Sequence, residues 1–228
     1  MEASTLFRLT VCLVCILLAG PVSLHSQQGA PASVKFMITC LDPIAGGVAE
    51  YEVGVPGDLT ALKVPPNRFV GPFTVPLRED ANLLDFYQTG NPKPAFSVTV
   101  TESERDNFFI FLIPSEGGYR AMKIHAPASR LKGGDRYLMN ATGKPLAIKY
   151  GEKDRLLVRS GESEILKLTA ANADGVVKVL MAQETDGKFE LIRSLSWYCD
   201  PRFRRFVFIY DKNGGKIGFY TVSERIDP

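Results

Sequence analysis

Apolar residues recur at every second position in short runs along this chain, and Gly, Pro, Asn and Asp divide the runs. Such alternation is the pattern of a strand rather than a helix. In order, the runs are Val34–Cys40, Glu50–Val55, Leu59–Val64, Phe69–Val75, Leu83–Tyr87 and Ala95–Thr101. Pro72 places Phe69–Val75 at an edge or a bulge, because proline has no N–H to give to a ladder. Asn107–Ile124 follows as a hairpin. After a pause the pattern restarts with Arg136–Asn140, Pro145–Tyr150, Arg155–Arg159, Glu164–Thr169, Val176–Gln183 and Phe189–Trp197, and Phe203–Val222 closes as a second hairpin. No long helical period interrupts the series.

The two hairpins echo each other. Phe109, Phe111, Gly117 and Gly118 align with Phe206, Phe208, Gly214 and Gly215, each pair 97 residues apart (206 − 109 and 215 − 118), with no gap. Their outgoing strands are apolar on both faces. Phe206, Phe208 and Tyr210 share one face and Val207 and Ile209 the other, while Phe109, Phe111 and Ile113 oppose Ile110 and Leu112. A sheet with one wet side alternates apolar with polar, so these strands are expected to be central and covered on both sides. The second cover is either ordinary core, a sister module or a partner. Pro114 is expected to end the first of these strands.

Many short strands with regular turn signals argue for all-β sandwiches. The expected architecture is two tandem Ig-like modules related by duplication, residues 33–125 and 131–227. The linker is residues 126–130, within the small-residue run Ala126–Gly134. One large sandwich is the alternative. Arg8 and the apolar run Leu9–Gly20 read as a secretory signal spanning residues 1–26, too short for a standard membrane span. An uncleaved anchor is the alternative. The protein is therefore expected to be secreted or periplasmic, with no membrane span after cleavage. Cys12 and Cys15 leave with the signal. Cys40 and Cys199 then remain in a compartment where disulfides persist, and are read as a bridge or, alternatively, as two buried thiols.

Composition is ordinary for a folded protein, and a net charge of +2 implies no pull toward nucleic acid. The HExxH, GxSxG and P-loop patterns are absent, and His125 is the histidine left in the mature chain, so no metal or cofactor is expected. The pairs Glu79–Asp80, Glu102–Glu104 and Glu162–Glu164 are candidate acids for glycoside chemistry, but solvated loops are the better account of them. Asp211–Gly214 has part of a calcium loop and reads as a turn. Asn140-Ala-Thr142 is a glycosylation sequon. The mixed aromatic and basic stretch around Trp197 gives the candidate binding residues Tyr198, Arg202, Arg204 and Arg205, facing a protein partner or a surface polysaccharide; a core Trp beside a charged strand entry, where Arg discourages edge pairing, is the plainer account.

The second half also carries a recurring pattern: Asn140-Ala-Thr-Gly-Lys-Pro145, the Leu-Ala-Ile run, Gly151, Ser160-Gly-Glu162, the Trp197 strand and the closing hairpin. In this it resembles a group of exported all-β proteins of environmental bacteria with no assigned activity. Ser160 stands where that pattern has proline. The resemblance implies an exported all-β fold and no chemistry. The expected function is a non-catalytic binding or structural module at the cell envelope; a carbohydrate-binding or carbohydrate-acting protein is the alternative.

Overall fold

The structure, a computed structural model, describes residues 32–41, 47–78, 82–115, 118–127, 129–168, 174–212 and 216–226. The signal segment, the hairpin residues Gly117, Gly214 and Gly215, and the Glu79–Asp80 pair lie outside them. Among the described residues the chain forms sixteen strands. The first eight are β1 (Ser33–Cys40), β2 (Ala49–Val55), β3 (Asp58–Val64), β4 (Val70–Pro76), β5 (Leu83–Tyr87), β6 (Pro94–Thr99), β7 (Asp106–Ser115) and β8 (Gly118–Ile124). The rest are β9 (Arg136–Ala141), β10 (Leu146–Tyr150), β11 (Asp154–Val158), β12 (Ser163–Leu166), β13 (Val176–Thr185), β14 (Lys188–Tyr198), β15 (Phe203–Lys212) and β16 (Lys216–Arg225).

The strands make four sheets of four. The first sandwich has an outer sheet β3-β2-β5-β6 and an inner sheet β4-β1-β7-β8. The second has an inner sheet β12-β9-β15-β16 and an outer sheet β11-β10-β13-β14. Adding eight to each strand of the first sandwich reproduces the second, so the fold is two tandem all-β sandwiches related by duplication. Each repeat even keeps the unusual parallel pair, β1 with β7 and β9 with β15.

Three apolar clusters order the layers. Phe36, Val53, Phe86, Phe108 and Ile110 fill the first sandwich, and Leu138, Ile148, Val179, Val207 and Ile209 fill the second. The third cluster, with Phe69, Phe109, Phe111, Phe206, Phe208 and Val222, lies between the two inner sheets. This accounts for the doubly apolar strands. One face of β7 and of β15 serves its own sandwich, and the other serves the sister sandwich. Both belong to one compact unit, Ala32–Pro228.

Two expectations are corrected. The hairpin echo keeps no constant offset: Phe109 pairs with Ile124 but Phe206 with Val222, so the return strands lie 98 apart (222 − 124). The second turn spans one more residue, from Lys212 to Lys216 against Ser115 to Gly118. Nor does Pro114 end β7; it pairs with Tyr119. The Leu112 carbonyl accepts from Leu41 N–H on the β1 side. Pro114 has the same parity as Leu112 and faces that side just past Cys40, where β1 has ended, so the ladder loses nothing. Pro72 does sit on edge strand β4, opposite a register shift between Phe36 and Ile38.

The Cys40–Cys199 bridge is also corrected: the two cysteines are not joined to each other. Cys40 is in the first core, and Cys199 packs on the second. Two inner sheets intervene, at ~10 Å per sheet spacing, whereas a disulfide needs Cα atoms within about 7 Å.

Candidate functional site

The expected binding strip starts at the end of β14 and turns through Cys199–Pro201 into β15. Alternation sends neighbouring side chains to opposite faces of a strand, and this divides the strip. Arg204 points with Phe206 into the space between the sandwiches and is buried. Its guanidinium makes a two-pronged ion pair with Glu224, its cross-strand partner, through Nε–Oε2 and Nη2–Oε1 (3.1 Å). Nη1 donates to the carbonyls of Ala126 (3.1 Å) and Leu131 (3.4 Å), and the group lies 4.8 Å over the Phe109 ring. Arg204 is therefore a clamp on the segment joining the sandwiches. A buried guanidinium with its donors committed to protein acceptors is not presented to a ligand.

The joining segment is correspondingly docked. Ala126 and Leu131 are buried, and Gly134 N–H donates to the Phe203 carbonyl at 2.8 Å. At Gly133 a Cβ would fall 1.7 Å from the Pro201 carbonyl oxygen, so only glycine permits that approach.

Arg205 faces the other way and donates to the Tyr198 carbonyl (3.0 Å). Arg136, its partner on β9, donates to the same carbonyl (3.0 Å) and stacks 4.6 Å over Trp197. Burial, with Arg205 adding repulsion, pushes the Arg136 guanidinium down to about 10. Alternation within Arg136–Asn140 did not single out this arginine. Its role comes from a strand sixty residues away. Arg202 folds back on Asp200 through Nε (3.0 Å) and Nη2 (2.7 Å), and these bonds hold the Asp200 carboxyl down to about 2. Trp197 is half-buried, whereas Tyr198 is exposed.

Other candidates resolve locally. Asn140 is fully buried; its Nδ2 donates to the Lys144 and Val158 carbonyls, and its Oδ1 accepts from Thr142 N–H and Oγ1 (2.7 Å). The Ser160 hydroxyl donates to the Thr142 carbonyl. The sequon and the recurring Asn140–Glu162 pattern are thus a turn-locking network, and both Asn140 amide hydrogens, one of which a glycan would replace, are donated to carbonyls. At Glu104, burial would raise the carboxyl, but bonds from Lys123 (2.5 Å) and Thr101 outweigh it and hold it at about 2. His125 shares a pocket of about 240 Å³ with Tyr137, Ser163 and Glu164, where the Tyr137 and Ser163 hydroxyls bond each other (2.6 Å). Asp211, expected in a turn, instead lies within β15 opposite Ile217, and its carboxylate accepts from Gly143 N–H. A groove of about 510 Å³ between the inner sheets is lined by Ile113, Met122, Met139, Phe208 and Tyr220.

The surface that sequence reasoning missed is the outward face of the second outer sheet. Leu157, Ala147, Ala182 and Leu191 are consecutive cross-strand neighbours. Leu157 is 50% exposed and Leu191 64%, with Leu180 (39%) and Phe189 (48%) beside them. Together they line one shallow, open depression with Lys149 and Arg155. The signal was present in the runs RLLV and VKVLMA, apolar at outward positions where a wet face calls for polar residues.

No family model matches the chain, and no curated protein matches it. A solved structure of a candidate cell adhesion protein from Bacteroides uniformis is similar at 7% identity over 87% of this chain and 98% of that one, with a TM-score of 0.23. A likeness of that size carries no argument about role.

Proposed function

We propose that this is an exported, non-catalytic binding protein that makes a protein–protein contact at the cell envelope. The observation that carries the reading is the flat apolar face of Leu157, Leu180, Phe189 and Leu191. A contiguous exposed apolar patch on a folded protein marks an interaction surface. Duplication does not require it, because the matching outward face of the first sandwich carries Glu50, Glu52 and Lys63, with a Glu50–Lys63 pair at 3.2 Å. A surface polysaccharide is favoured less, since Arg136 stacks over Trp197 and leaves Tyr198 as the open ring of the strip.

The double variant Leu157→Lys, Leu191→Lys is expected to lose the partner in a pull-down from the native host. Its stability should stay within about 0.5 kcal/mol of wild type, as for most surface changes. Retention of the same proteins by the variant would overturn the reading.

The export part rests on Arg8 and Leu9–Gly20. N-terminal sequencing of exported protein should begin near Gln27. A cytoplasmic product that keeps Met1 would refute it.

A further inference from the structure

The apolar row is bordered on one side by cations. Lys149 and Arg155 are direct cross-strand partners, and Lys149 also neighbours Leu180 on β13. Lys178, two residues before Leu180, points to the same side, since Val177 and Val179 are in the core. Like charges directly opposite on antiparallel strands destabilise a sheet. Among the described residues, none of these three cations has an acid partner within ion-pair distance. The carboxylate that shares the face, Glu184, lies at its far end opposite Phe189. The corresponding hairpin of the first sandwich instead pairs opposite charges on its outward face: there Lys63 faces Glu50 across the β2–β3 ladder.

We propose that the occupant of this face is an acidic protein segment, whose apolar side chains cover Leu157, Leu180 and Leu191 and whose carboxylates meet Lys149, Arg155 and Lys178. The proposal rests on the reading of the face as a docking surface and adds the chemistry of the partner. An uncompensated like-charge pair costs the free protein stability, and a partner carboxylate converts that repulsion into attraction. Apolar contact supplies area, while the cations set register and speed of encounter. A row of charge beside a row of leucines selects a chain in which acidic and apolar residues lie side by side.

The test uses the full exported chain and three labelled peptides: alternating Leu and Glu, alternating Leu and Gln, and alternating Leu and Lys. Fluorescence anisotropy reads binding. The Leu–Glu peptide should bind about tenfold or more tighter than the Leu–Gln peptide, as expected for close charge pairs. Its affinity should fall as salt rises, and the Leu–Lys peptide should not bind. Lys149→Glu with Arg155→Glu should reverse the order of the Leu–Glu and Leu–Lys peptides. Equal binding of the Leu–Glu and Leu–Gln peptides, both lost with Leu191→Lys, would overturn the acidic partner and keep the docking face. Binding unaffected by Leu191→Lys would overturn both. Two further outcomes would also overturn the proposal. One is sedimentation of the protein alone as a dimer that Leu191→Lys dissolves, which makes a second copy the occupant. The other is co-pelleting with phosphatidylglycerol vesicles that Lys149→Glu abolishes, which makes it a membrane surface.

Discussion

Phe206→Ala is expected to destabilise the protein by about 3–5 kcal/mol, read from the denaturant midpoint at unchanged slope. Phe206 is fully buried. Its ring centroid lies 4.7 Å from that of Phe109, 5.4 Å from Phe69, 5.4 Å from Phe111 and 5.9 Å from Tyr137. The neighbours come from two separate strands and one loop, two sandwiches in all, so they cannot close over the gap without shifting a sheet. The cavity therefore stays open, and its cost adds to the lost transfer energy. A loss under about 1 kcal/mol, typical of a site that collapses or was never buried, would show that the inner sheets do not pack as described.

Arg204→Ala should cost a similar amount, about 3–5 kcal/mol, because it leaves the Glu224 carboxylate, whose side chain is 13% exposed, without its cation. The carbonyls of Ala126 and Leu131 lose their donor at the same time. Arg204→Lys should not rescue it, since an ammonium cannot reach the carboxylate and two carbonyls with the planar fork that arginine supplies. Removing both charges with Arg204→Met and Glu224→Leu should recover part of the loss, because replacing a whole buried pair is far less costly than breaking it. Urea unfolding of the four proteins decides the matter. If Arg204→Ala unfolds at the wild-type midpoint, the guanidinium is solvated and the strip returns as a binding site.

Fold class and duplication were legible because both rest on local pattern. Phe108, Ile110 and Leu112 against Phe109 and Phe111 announce a strand covered twice, and Phe206 to Ile209 repeat it. The extra residue in the second turn was hidden, since matched glycines look alike whether a turn holds two residues or three. The site was less legible. Tyr198, Arg202, Arg204 and Arg205 form a contiguous stretch in sequence, but the pleat sends Arg204 inward to Glu224 and Arg205 to the Tyr198 carbonyl. Cys40 and Cys199 looked like a pair only because they were the two cysteines left.

By itself the sequence determined the strands, the repeat, and the fact that β7 and β15 need cover on two faces. Those follow from side-chain alternation, which each residue's immediate neighbours set. Only the tertiary structure decided what supplies the cover. The inner sheets face each other through Phe109 and Phe206, while the outer sheet bearing Leu157 and Leu191 is left open. An apolar face reads the same in sequence whether it meets its own sandwich, the sister sandwich or water. Which of these it meets depends on how sheets built from residues nearly a hundred positions apart dock.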